Sequence, residues 1–330
     1  MSVVAGFMVG LAVAQGVTPA AATPTSVQLV QGELTVSAGA DGANRLVAAV
    51  RGDRLYLTDA LPLESRAGCQ QVTGTEVACP LGDVRSVSFQ LGEGDDNAAF
   101  HVLVPVAGSG GPGNDKILGG RTDDALSGGA GDDTIHGNGG ADTLDGGAGK
   151  DAIHGGAGGD QLYGDGKSSE SGCLGQPCSD TVHGDEGDDH LAGGESGDHL
   201  FGGDGEDTLD EPISGANRLD GGKGDDTIVG AGAGMRDMVV YDRVAAVGVN
   251  LSATSYDGPS VELPAGHAGA LGANGTLVER DTVTDVHDIS TGDGDDVLIG
   301  SGGNPVMISG GGSDLCDPDG DDGVELAPCT

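Results

Sequence analysis

A nine-residue period through the middle of the chain limits what it can fold into more than any other feature. From Gly110 to Tyr163 the sequence reads GGPGNDKIL, GGRTDDALS, GGAGDDTIH, GNGGADTLD, GGAGKDAIH and GGAGGDQLY without a gap. A further unit opens at Gly164, is interrupted by an insertion carrying Cys173 and Cys178, and resumes at Ser179 as SDTVH. GDEGDDHLA, GGESGDHLF and GGDGEDTLD follow, then a degenerate EPISGANRLD, then GGKGDDTIV, then a stretched unit ending at Val240. The period returns as TGDGDDVLI at Thr291–Ile299. At this spacing each unit is one supersecondary element that buries its apolar face only against its neighbours, so the chain must stack.

The last three residues of a unit read as a short strand whose middle side chain points inward. Those inward positions are Ile117, Leu126, Ile135, Leu144, Ile153, Leu162, Val182, Leu191, Leu200, Leu209, Leu219, Ile228 and Val239, and all thirteen are aliphatic. Glycines turn the backbone sharply and let neighbouring coils approach closely. With two units to a coil, the pattern predicts an all-β chain folded as a parallel β-roll, a right-handed β-solenoid of two parallel sheets rising about 4.8 Å per coil.

One aliphatic side chain per nine residues is a thin interior to set against the entropy of ordering nine backbones. Charge deepens the difficulty: 53 acidic residues against 14 basic ones leave a formal net charge of −39. Such a chain repels nucleic acid and anionic membrane and needs cations to become compact. An acidic, glycine-rich composition is also that of disordered chains, but the fixed register of glycine and aspartate argues against that reading.

The cation requirement points to position six of the units: Asp115, Asp124, Asp133, Asp142, Asp151, Asp160, Asp180, Asp189, Asp198, Asp207 and Asp226, with Asp296 in the returning repeat. Asp96, Asp237 and Asp314 occupy the same place in imperfect units. Stacked turn carboxylates suit a hard divalent ion bound through oxygen, and flexible, carbonyl-rich loops suit Ca2+ better than Mg2+. The pattern GGxGxDxUx, with U a large aliphatic residue, resembles the RTX, or hemolysin-type, calcium-binding repeat of secreted bacterial proteins. The resemblance implies multiple Ca2+ ions, each between turns two units apart. Asp115, Asp133, Asp151, Asp180 and Asp198 then line one edge, and Asp124, Asp142, Asp160, Asp189, Asp207 and Asp226 the other. Asn217 replaces the aspartate in the degenerate unit, which weakens the first edge there, while Thr122 and Ser196 replace the position-four glycine.

Outside the repeats, residues 1–22 read as an export signal, with the apolar run Val3–Ala14 and small residues at Ala20–Ala22, although no basic residue precedes Arg45. Residues 23–106 read as a small β-rich domain with strands at Val27–Val30, Leu34–Val36, Arg54–Thr58 and Val84–Leu91. Residues 107–240 form the roll, 241–288 a non-repeat β extension with strands at Val244–Leu251 and Thr276–Val286, and 289–330 a short terminal roll and cap. The six cysteines fall as three local pairs, Cys69/Cys79, Cys173/Cys178 and Cys316/Cys329. Fifteen connectivities exist, and local pairing is favoured because each pair occupies its own non-repeat segment. Disulfides and an export signal together point to a secreted, extracellular chain with no membrane span.

His136, His154 and His183 stand at position nine on an outward face and read as solvated rather than as zinc ligands; His190 and His199 are assigned no role. Gly166-Lys167-Ser168 lacks the earlier glycine of a phosphate loop, and Asp317, Asp319 and Asp321 echo only the first half of an EF-hand loop. Neither HExxH nor GxSxG occurs. The expectation is a non-catalytic calcium-binding protein with a structural or surface-interaction role and an unassigned protein or surface partner. The alternative is a secreted hydrolase with its site in the N-terminal segment or in 241–288.

Overall fold

The computed structural model describes residues 24–38, 42–165, 178–211, 215–230 and 236–241, then short pieces between 247 and 328. The expected export signal and most of the insertion after Asp165 lie outside the described residues. All regular structure described is β, apart from a single 3-10 turn at Leu81–Asp83. The architecture is a parallel β-roll.

The period decides the local structure as expected. Successive units alternate between two sheets, so each strand pairs with the strand two units on. In one sheet Ala125–Ala130 pairs in parallel with Thr143–Ala148, Leu126 opposite Leu144. In the other, Thr134–Gly139 pairs with Ala152–Ala157, Ile135 opposite Ile153. All thirteen inward aliphatic residues are buried and belong to one continuous apolar cluster. The interrupted coil is stacked in register despite its insertion, with Ile153 opposite Val182 and Leu162 opposite Leu191.

Both sheets pass without a break into the residues before the repeats. Ser86–Gln90 pairs in parallel with Val106–Pro112, and Asn97–His101 with Lys116–Leu118. Antiparallel strands then close the end: Thr25–Val30 with Glu33–Ser37 on one sheet, and Arg45–Arg51, Arg54–Thr58 and Glu76–Pro80 on the other. Their alternating apolar residues, with Phe89 stacked on Phe100 at 4.8 Å, make a denser core than the roll has. The Cys69–Cys79 disulfide lies in this cap. Cys178 and Cys316 are also disulfide-bonded, with their other halves outside the described residues.

Beyond Tyr241 the stacking continues around a local exception. Thr227–Val229 pairs in parallel with Asp281–Thr284, and Met238–Tyr241 with Asp288–Thr291. Val247–Asn250 and His267–Ala270 enter the first sheet as an antiparallel pair between Asp281–Thr284 and Val297–Ile299. The remaining residues of the expected strands at 244–251 and 276–286 lie outside the described residues.

Candidate metal centres

Alternation along the strands places each position-six aspartate at the corner where a turn becomes a strand, with its side chain inside the turn. All of these aspartates are at most 4 % exposed. The structure brings them into two columns, one along each edge. In the first, the Asp115 N–H donates to Asp133 Oδ1 at 2.7 Å, Asp133 to Asp151 at 2.8 Å, Asp151 to Asp180 at 2.7 Å and Asp180 to Asp198 at 2.8 Å. In the second, Asp124 donates to Asp142, Asp142 to Asp160, Asp160 to Asp189, Asp189 to Asp207 and Asp207 to Asp226, at 2.7–2.9 Å.

These rungs consume one oxygen of each carboxylate. The other is the informative one. Oδ2 of Asp115, Asp133, Asp142, Asp151, Asp160, Asp180, Asp189, Asp198 and Asp207 is buried with no hydrogen-bond partner. A buried, charged acceptor left unpaired is costly. Glycine at position one leaves room for this oxygen: a Cβ on Gly128, Gly146 or Gly202 would collide with Oδ2 of Asp133, Asp151 or Asp207.

Protonation is the response to burial without a counter-charge. Burial foremost, with neighbouring carboxylates adding to it, pushes Asp133, Asp142, Asp189 and Asp207 up to about 7. The same causes push Asp180 up to about 9. The backbone N–H groups oppose the shift without cancelling it. A divalent cation among the Oδ2 atoms would supply the missing charge and reverse the preference. The donor set fits a hard, oxygen-seeking ion.

The family profile described as RTX calcium-binding nonapeptide repeat (4 copies) matches residues 109–144, 136–166, 179–209, 214–233 and 288–324. These are RTX calcium-binding repeats. No curated protein shows a significant match to the chain.

Several residues treated as marginal RTX positions in the sequence sit squarely in the columns. Asp96 accepts the Asn44 N–H at 2.6 Å and donates to Asp115 Oδ1 at 2.8 Å, extending the first column into the cap. At Asn217 the ladder continues: Asp198 donates to Asn217 Oδ1 at 2.8 Å, and Asn217 donates to Asp237 Oδ1 at 2.9 Å. An amide oxygen replaces a carboxylate oxygen in the rung; only the charge is lost. Asp296 is buried and donates to Asp314 Oδ1 at 3.0 Å.

Two acidic residues of these columns were not found by sequence reasoning. Asp281 takes the place after Asp226, accepting its N–H at 3.1 Å, while the Tyr241 hydroxyl donates to the second oxygen at 2.6 Å. The signal was present as Asp281-Thr282-Val283, a DxU triplet detached from its glycines. Glu211 is fully buried and reaches back to accept the Gly193 N–H beside Asp198. Burial, then Asp198, pushes it up to about 8. It stands at position one of the unit that has Asn217 at position six, so a carboxylate lost from one place is present at another.

Position five forms an outer ladder. Asn114 donates to Asp95, Asp132 to Asn114 and Lys150 to Asp132, at 2.9–3.0 Å between backbone N–H and side-chain oxygen. The frequent Asp-Asp pair therefore has two duties, an outer cap on the turn and an inner carboxylate.

The substituted turns diverge. Ser196 adopts φ 88°, the left-handed conformation the glycines hold at this place, as Gly131 does at 129°. Thr122, β-branched, does not, and neither does Gly120 beside it. There the Gly120 N–H donates to Asp124 Oδ2 at 2.6 Å. The oxygen that faces the turn interior elsewhere is closed off by its own backbone.

Proposed function

We propose that this chain is an extracellular, non-catalytic calcium-binding protein whose roll folds as Ca2+ enters two columns of turn sites. The observation that carries this reading is the run of buried Oδ2 atoms that lack partners along both edges. Asp115, Asp133, Asp151, Asp180 and Asp198 would hold ions on one edge, and Asp142, Asp160, Asp189, Asp207 and Asp226 on the other. Asp96, Glu211 and Asp296 extend the set. Asp124 is the weakest member, because its second oxygen is already bonded. The bound ion supplies positive charge between stacked turns; the chain's own residues supply the inward carboxylates and the ladder that sets their spacing.

Extracellular calcium modules bind at about 10⁻⁴–10⁻³ M. A chain of this charge would remain extended in a compartment poor in calcium and become compact outside the cell. A structural or surface-interaction role follows, because the folded product is a long acidic solenoid with repeated outward faces. The test is circular dichroism of the purified chain during calcium titration. A cooperative gain of β signal is expected, reversed by chelator; an unchanged spectrum from excess chelator to millimolar calcium would refute the reading.

A further inference from the structure

Position nine of the second sheet carries a column that the calcium sites do not use. His136, His154 and His183 face outward on adjacent strands, opposite one another in the register. Their rings stack, His136 on His154 at 4.8 Å and His154 on His183 at 4.5 Å, with Phe201 closing the column against His183 at 4.5 Å. Sequence alone read these histidines as solvated rather than as zinc ligands. The register instead aligns them, because a nine-residue period repeats every outward position at each coil.

Asp185 stands two residues beyond His183, hence on the same face. Its neighbours across the strands are Gly156 and Gly203. With no side chain on either, the Asp185 carboxylate lies over the imidazoles, Oδ2 at 3.3 Å from His154 Nδ1. One ligand atom from each of His154, His183 and Asp185 falls within 4.8 Å of the other two.

We propose that His154, His183 and Asp185 form a second kind of metal site, for a late first-row divalent cation such as Zn2+, on the outer face of the roll. Two imidazoles and one carboxylate suit such an ion better than Ca2+, which takes oxygen ligands alone. Three protein ligands on a half-exposed face leave a fourth position for water or for His136, next in the stack. Stacked rings hold their lone pairs parallel, so binding needs a modest rotation of each ring, a motion exposed side chains make rapidly. His154 and His183 lie on either side of the insertion that precedes Ser179 in sequence, so the ion would clip together the two coils that the insertion separates. The site rests on the proposed folded roll, and its test therefore uses calcium-saturated protein.

The experiment is titration of Zn2+ into the full-length, calcium-loaded chain against a colorimetric zinc chelator, with circular dichroism as the folding control. One equivalent bound above the background of the acidic surface is expected. His183→Ala should weaken it at least about tenfold, the usual scale for losing part of a metal site. His199→Ala, on the same face but outside the cluster, should change nothing. Asp185→Asn keeps the size of an exposed side chain and should also weaken zinc while leaving the calcium transition intact, so it decides the matter if a histidine variant folds poorly. Zinc affinity unchanged in both Asp185→Asn and His183→Ala, or no stoichiometric zinc in folded protein, would overturn the assignment. A lost calcium transition in the unsubstituted chain would indict the folding proposal instead.

Discussion

The N-terminal cap and the RTX roll share two sheets but are held together differently. The cap, residues 24–106, closes over Leu34, Leu46, Leu55, Leu57, Val77, Phe89 and Phe100, all essentially unexposed, and carries a disulfide. Most of its buried polar groups find partners: the Thr25 hydroxyl donates to Asn44, the Asn44 amide to the Leu91 carbonyl at 3.1 Å, and the Arg45 N–H to Asp59 at 2.8 Å. Among its described residues, only at Asp96, where the first column enters the cap, is a buried carboxylate oxygen left over. The roll has one aliphatic side chain per unit and buries carboxylate oxygens that find none. Continuous strands do not make a uniform stability. Apolar burial and matched hydrogen bonds hold the cap, whereas the roll has a thinner interior and rows of inward carboxylates suited to a cation.

Calcium removal should break the comparison most visibly. Hydrogen exchange in excess chelator is expected to show amides from 110 to 240 exchanging freely while those of Arg45–Thr58 and Glu76–Pro80 stay protected. Equal protection in both regions would mean that the roll does not depend on metal.

A pair of substitutions at Asp151 sharpens it. The Asp133 N–H donates to Asp151 Oδ1, so Asp151→Ala removes both a carboxylate and the acceptor of a buried donor, costing about 1–3 kcal/mol beyond the loss of calcium. Asp151→Asn keeps the acceptor, as Asn217 does naturally. It should weaken calcium binding yet leave the calcium-free state no less stable, because an unbalanced buried charge is gone. Calcium-free and calcium-loaded denaturant curves of the two variants separate these effects.

Acidity should act chiefly on the roll, and oppositely with and without metal. Carboxylates raised from 3.8 to about 7 in the folded chain favour folding when protonated, so the calcium-free roll is penalised progressively as pH rises from about 4 toward 7. Asp180, at about 9, carries that window further up. Without calcium, β content should therefore increase from about pH 8 to about pH 5. With calcium at low concentration it should decrease, because protons compete with the ion. Circular dichroism at both pH values checks both signs; a cap-sized signal that ignores pH is expected beneath.

The smallest effect belongs to the irregular turn. Thr122→Gly should let residues 119–124 adopt the left-handed conformation of their neighbours, freeing Asp124 Oδ2 from the Gly120 N–H. Calorimetry should then show a slightly higher calcium stoichiometry; an unchanged value would place the cause elsewhere than in Thr122.

Much of this was legible in the sequence. Two sheets and the inward aliphatic row follow from a period of nine and need no distant contact, while the assignment of each aspartate to an edge is what the resemblance to RTX repeats implied. What was not legible depended on partners far apart in the chain. Glu211 reaches Gly193 across a coil, Asp281 joins its column after the period has lapsed, and Asn217 keeps its rung because an amide oxygen accepts as a carboxylate does. His154 and Asp185 are 31 residues apart in sequence, and the insertion between them hides their proximity.

By itself the sequence determined that the chain stacks, which side chains face inward, and which carboxylates fall in rows, because a strict repeat places like residues in rows whatever the rest of the molecule does. Tertiary structure alone decided which carboxylate oxygen is used by the backbone and which is left over. It also decided which substituted turn keeps its shape, and which outward histidines meet. Those outcomes depend on the separation between coils and on the backbone angles of individual turns, quantities that residue order does not contain.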